Sequence, residues 1–466
     1  VGTPLSHDTL LDLSRWQWAL TAAFHITFPA VTVGTSVFLV VCYAMYMRTD
    51  DDVWLRMFRF WRRIFAVGFT LGVVSGMVLT FEFGLNWGPF ARDVGPIVGV
   101  AILMEVVMAF FLEAGFLGLL IYGEGRIGKR MMMFSACMVS LGTMLSVTWI
   151  LVANSWMQTP AGYKLVDGQF QPVNWLHVIF NPSFGIRFIH MLVGALVAAG
   201  WFICGISAWY FVKRRHLPIA RRGLSVTLGV LSVLVPLQIY IGDSVAGGYV
   251  AKYKLPQLEA MGGNWNSTNT GENMIVIPNQ GAAKNDWQVT IPWLGSALGA
   301  KDWSGHTATP GLKLTPKSLR PMMLPTFYGF RLMWWPTLLM IAVVLGGIAL
   351  RLRGRLYSAR WFHKLLVGLV PIGFVSIWAG WVLAETGRQP WLVNGKLLTA
   401  AAVSPLKPWS VLTSLAVFVV LYLALLGMYV WYVVRAVREG PGDGPIVEPA
   451  APSLRHERRS GLASAS

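Results

Sequence analysis

The chain has 466 residues, of which 55% are hydrophobic and 13% charged, with 22 Trp and a formal net charge of +17. Its mean hydropathy is +0.56, which excludes an ordinary soluble globular domain and a disordered chain. The basic excess would suit nucleic acid only as a concentrated basic face, and its distribution along the chain excludes that reading.

Nine apolar runs predict membrane-spanning helices at about 17–47, 63–85, 97–122, 133–157, 185–212, 223–243, 326–350, 364–385 and 409–434. The first run is too long, and too poorly led by basic residues, for a cleaved signal peptide. Arg and Lys clusters follow spans one, three, five, seven and nine: Arg48 to Arg63, Arg126 to Arg130, Lys213 to Arg222, Arg351 to Lys364, and Arg435 onward. Basic loops on alternate turns follow the positive-inside rule, which predicts an outside N-terminus, a cytoplasmic C-terminus and an odd span count. The expected fold is therefore an all-α integral membrane protein. About nine transmembrane helices pack as helix bundles, with a long extracytoplasmic loop between spans six and seven. The chain divides into an N-terminal bundle (1–242), that loop (243–325), C-terminal helices (326–438) and a disordered cytoplasmic tail (439–466). The loop is rich in Gly, Asn, Trp and Pro and lacks helical periodicity, so it reads as a structureless lid or binding loop. Cys42, Cys137 and Cys204 all lie within spans and form no CxxC or CxxCH motif. That argues against zinc, iron–sulfur clusters and covalently attached haem.

Span three carries only two charges, Glu105 and Glu113. A charge near the bilayer centre costs at least ~2.5–3.5 kcal/mol, so each carboxylate calls for a partner: a metal, a proton path or a buried cation. Eight helical residues turn through ~800°, which sets the pair within ~80° of each other and roughly 12 Å apart along the axis. Both can serve one interior path. Other ionisable or ligating residues at membrane depth are His25, Glu82, His190 one turn after Arg187, Met333 after Arg331, Asp243, and Glu385 with Arg388. Each has a plainer reading: an interhelical hydrogen bond for a His, core filling for the Met, a helix-end ion pair for Glu385 and Arg388. As a set, two His, a Glu and a Met supply axial ligands for non-covalent haem in a helical bundle. A haem–copper oxidase needs more deep histidines than His25 and His190, since His363 sits at the cytoplasmic edge. A haem-free proton-coupled transporter using Glu105 and Glu113 is the alternative from another class.

Several stretches resemble the haem-bearing large subunit (subunit I) of cytochrome bd-type quinol oxidases: LSRWQWALTAAFH at 13–25, FEFGLNW at 81–87, MAFFLEAGFLGL at 108–119, FIHM at 188–191, FRLM at 330–333 and WAGWVLAETGRQPW at 378–391. The resemblance runs from Leu13 to about Val434. It implies an enzyme that oxidises membrane quinol (ubiquinol or menaquinol) and reduces dioxygen to water, generating proton motive force without pumping. It implies His190 and Met333 as axial ligands of a low-spin haem b. His25 and Glu105 would ligate the two high-spin haems, a haem b and a haem d or a further haem b in its place. It gives Glu113 to a proton route, and Lys254 and Glu259 to the quinol-binding loop. Arg331, Glu385 and Arg388 match residues needed around the haems, with propionates the expected contact, and Trp381 matches an aromatic between haems. The expected partners are a haem-free second membrane subunit and a small single-span subunit, in a bacterial cytoplasmic (inner) membrane. The loop is short compared with the long-loop members of the family, and the chain as a whole resembles the cyanide-insensitive branch more nearly.

Overall fold

The computed structural model describes residues 7–299 and 301–442. Among them nine helical segments are long and apolar enough to cross a membrane, from Asp8–Thr49 through Met323–Leu352 to Pro408–Glu439. The number agrees with the sequence reading, but the spans are longer, because helix continues past the apolar window into the charged ends. Span two is Asp52–Leu85 rather than 63–85. It starts where Asp51 caps it, accepting from the Val53 amide at 2.9 Å. The last helix ends at Glu439, and residues 443–466 of the expected tail lie outside the described residues.

Span five, Phe184–Lys213, is the hub, packing on spans one, four, six and eight. Small residues allow these approaches. A Cβ on Gly373 would sit 2.8 Å from the Ala198 Cβ, and one on Gly34 would be 3.1 Å from the Ala195 carbonyl.

Irregularities interrupt several spans, span eight among them, which breaks between Arg360–Gly368 and Ile372–Thr386. Span one breaks at Phe28, between His7–Thr27 and Pro29–Thr49, because Pro29 cannot donate into the preceding turn. Span three contains π-helical turns at Gly95–Gly99 and Glu105–Phe110. Span six passes from α-helix into a π-helical turn at Ile241–Gly247 and back to α-helix at Gly248–Tyr253.

The two ends of the bundle differ. At one end Arg59 and Arg62 pair with Glu124, Lys129 with Asp50, and Arg222 with Asp51. Arg63 and Arg215 reach the carbonyls of Gly440 and Arg438 beside them. The other end carries three small antiparallel hairpins, Tyr163–Val166 with Gln169–Pro172, Glu272–Asn279 with Lys284–Ile291, and Trp391–Val393 with Leu397–Leu398. The segment 243–325 therefore corrects the expectation of a structureless loop. It begins inside the helix of span six, which runs to Tyr253. It continues with a helix at Leu255–Gly262 and then the longest hairpin. Polar side chains hold it, which is why hydrophobic periodicity missed it. The Asn273 amide donates to Gly262 O (3.0 Å) and Asn264 Oδ1 (2.8 Å), and Asn285 donates to Gly263 O (2.9 Å).

Candidate cofactor and proton sites

His190 and Met333 line one cavity of about 620 Å³ that opens beneath the segment 243–325. Trp381, Phe330 and Trp334 give it flat apolar walls, and Asn264 and Thr309 stand on the loop side. Glycines clear the space around the candidate ligands. A Cβ on Gly242 would lie 3.2 Å from the His190 ring, and one on Gly380 3.1 Å from the Met333 sulfur. Gly242 belongs to the π-helical turn of span six, so the irregular backbone is what presents it. The Gln238 amide occupies the Nδ1 edge of His190 at 3.3 Å and donates to the His190 carbonyl at 3.0 Å.

His25 lies just before the break in span one, against Gly76, whose Cβ would come 3.1 Å from the ring. Ser75 donates its own proton to Leu71 O (2.7 Å) and stands 3.1 Å from His25 Nδ1. Its hydroxyl is thus the acceptor, Nδ1 keeps the proton, and Nε2 keeps the lone pair a metal needs.

Glu105 and Glu113 both face span four. Ser146 donates to Glu105 at 2.7 Å, and Glu113 packs on Gly142, where a Cβ would collide with its side chain. Gly142 and Ser146 are one turn apart on the same helix, so one strip of span four receives both carboxylates. The regular-helix angle read from the sequence needs correction, because the π-helical turn beginning at Glu105 lies between them. π-Helical turns of this kind concentrate at functional sites.

At the loop-side end, Arg187, Lys254 and Arg388 gather around Glu385. Arg388 pairs with Glu385, which also accepts from Asn154 at 2.9 Å. The Lys254 amine and two Arg388 nitrogens are buried without partners. Burial first, then Arg388 and Arg187, push the Lys254 amine down to about 6, with Glu385 opposing. Two guanidinium cations and a lysine amine around one carboxylate make an anion-seeking nest, in which an arriving anion would draw the proton back onto the amine. Glu259 does not join it. Thr315 donates to its Oε2 at 2.8 Å, and burial raises its carboxyl while Thr315 and Arg320 oppose. Arg331 faces the long hairpin, pairing with Glu272 and donating to Asn273 O at 3.0 Å. Sequence reading singled out Arg331, Lys254, Glu259, Glu385 and Arg388 but not their partners Asn154, Glu272 and Thr315. It missed Gly76, Gly142, Gly242 and Gly380 altogether, since a glycine in an apolar span signals close helix packing equally well.

Among the described residues no three His, Cys, Asp or Glu side chains converge on a point. Candidate ligands come singly or in pairs, as suits a metal that brings its own equatorial ligands. A flat apolar cavity, glycine-cleared ligands and a cationic nest fit haem with its acidic side groups. The fold and these features define a multi-pass membrane redox subunit with a cofactor-bearing interior. Residues 13–441 match the family described as cytochrome bd terminal oxidase subunit I, and the chain belongs to that family. It is 30% identical to cytochrome bd ubiquinol oxidase subunit 1 of Bacillus subtilis (strain 168), over 92% of this chain and 94% of that one. It is 29% identical to cytochrome bd-II ubiquinol oxidase subunit 1 of Escherichia coli (strain K12), over 93% and 97%. The bd oxidase of Geobacillus thermodenitrificans superposes with a TM-score of 0.83 at 25% identity, covering 92% of this chain and 98% of that one. The protein is thus a haem-associated subunit of a quinol:oxygen oxidoreductase, a terminal oxidase of a bacterial respiratory chain that works with other subunits.

Proposed function

We propose that His190 and Met333 hold a low-spin haem b, and that His25 and Glu105 hold two high-spin haems, one b and the other d or a second b. The observation that carries this reading is the glycine-cleared cavity between His190 and Met333 beside the Arg187, Lys254 and Arg388 nest. Bound haems supply the electron relay and the centre where dioxygen is reduced to water. The chain's own residues do the rest. Arg187, Lys254 and Arg388 neutralise the acidic haem side groups, and Trp381 fixes the plane beside them. Ubiquinol or menaquinol docks beneath the external segment, and Glu259 takes a quinol proton for release outside. Glu113 passes protons from the cytoplasmic side toward Glu105. The alternating basic loops support an outside N-terminus and cytoplasmic C-terminus in the inner membrane. Opposite-side proton release and uptake then generate proton motive force without a pump, alongside a haem-free second subunit and a small single-span peptide. Family membership removes the ground for a haem-free transporter.

Reduced-minus-oxidised spectra with extracted-haem analysis test the reading. Three haems are expected, and His190→Ala should abolish the low-spin α-band. No Soret band shifting on dithionite would sink the haem assignment, and an intact low-spin band in His190→Ala would sink the ligand pair.

A further inference from the structure

A second buried carboxyl stands apart from the Glu105 and Glu113 strip. Glu82, at the loop-side end of span two, is 2% exposed. Thr21 donates to its Oε1 at 2.6 Å. Its Oε2 is buried with no donor in bonding geometry, and the Gln17 amide is its other neighbour. Gln17, Thr21 and His25 recur every four residues, on one face of span one. Gln17 accepts from the half-buried Ser414 of span nine at 2.8 Å. A polar seam therefore leads inward from Ser414 through Gln17 to Glu82 and Thr21. Below Thr21 the next buried residue on that face is Phe24, stacked on Tyr422 at 4.3 Å. The seam stops there, one turn short of His25. One titratable group, Tyr422, faces Glu82. Tyr422 donates to Thr21 at 3.4 Å, and His25 lies one turn onward. Among the described residues no cation pairs with Glu82.

A carboxyl in an apolar interior that is held only by a neutral hydroxyl and amide, with no cation beside it, is poorly solvated as an anion and is a ready proton acceptor when negative charge arrives nearby. We propose that Glu82 is the proton-exchange residue of the His25 site. When the group held at His25 gains one electron from the quinol chain, the Glu82 carboxylate binds one proton. That proton comes from the loop-side face past Ser414 and Gln17, and it returns the same way when the electron leaves. The apolar stop at Phe24 makes this a store that compensates charge across one helical turn, not a channel through the membrane.

The inference rests on the haem reading of His25, and infrared difference spectroscopy of the purified oxidase separates the two. On reduction a carboxylic C=O band should appear. It should move in Glu82→Asp, vanish in Glu82→Gln and remain in Glu113→Gln. The midpoint potential of the His25 haem, falling with pH in the parent, should lose much of that slope in Glu82→Gln. A band unchanged in Glu82→Gln with all haems present overturns the proposal. If Glu82→Gln does not assemble, an unmoved band in Glu82→Asp overturns it equally. A parent without haem absorption overturns the haem reading instead.

Discussion

Single residues divide the chemistry. Glu105 is fixed by a hydroxyl at a π-helical turn, whereas Glu113 lies against the bare Gly142 backbone, its side chain taking up the space the glycine leaves. An iron ligand wants the first environment and a proton carrier the second. Glu113→Gln should keep every haem and slow turnover at least tenfold, and Gly142→Leu, which takes that space from Glu113, should slow it likewise. Glu105→Ala should perturb a high-spin haem itself, read in the visible spectrum. Lys254 offers a test of the cationic nest. Its folded amine at about 6 lies far below the ordinary lysine value of 10.5. Between those values the unfolded chain holds a proton that the folded one lacks, so this residue makes stability rise with pH, by at most about 1.4 kcal/mol per unit. The cost is full below pH 6 and fades toward 10.5. Haem-depleted protein should melt higher as pH increases from 6 to 9. Lys254→Met, or haem side-group carboxylates seated in the nest, should flatten that dependence.

At the scale of elements, helical spans were legible because apolar periodicity reports which surfaces avoid water. The departures from regular helix were not legible. Nothing in GVAILMEVVMAFF distinguishes a π-helical turn from an α-helical one, since the extra residue is accommodated by packing on span four. Yet the break after His25, the turn at Glu105 and the turn carrying Gly242 lie beside three of the four candidate iron ligands. Regular helix gives each backbone its own hydrogen bonds and a fixed side-chain spacing. Relaxing it re-aims a side chain or bares a glycine at a set depth. The segment 243–325 was misread for the opposite reason, because asparagine amides rather than apolar stripes hold its hairpin. Arg331 fastens that hairpin to span seven through Glu272 and the Asn273 carbonyl. Arg331 is 1% exposed, and removing one partner of such a buried pair costs roughly 3–5 kcal/mol. Glu272→Gln should loosen the hairpin, seen as faster limited proteolysis within 272–291. It should also raise the KM for a soluble quinol several-fold while the haem spectrum stays intact.

The molecule as a whole is polar along its axis. One end gathers arginines and lysines paired with short acidic loops. The other holds the hairpins, the cationic nest, the cavity mouth and the rim of the Glu82 seam. Glu113 lies further along span three from that end than Glu105 does, toward the basic loops, because the chain enters the span on the hairpin side and leaves it at Tyr122. On the proposed assignment, quinol chemistry and water formation draw on opposite faces, and the separation of charge would follow from where the residues stand rather than from a moving part. With the oxidase reconstituted in vesicles so that the basic loops face outward, quinol oxidation should acidify the interior and alkalinise the medium, at about one proton per electron on each side. Glu113→Gln should slow both signals in proportion to turnover, since it throttles the uptake limb of a coupled reaction. Unequal loss of the two signals would mean that protons cross by a route independent of the chemistry, and vectorial release and uptake alone would no longer account for the charge moved.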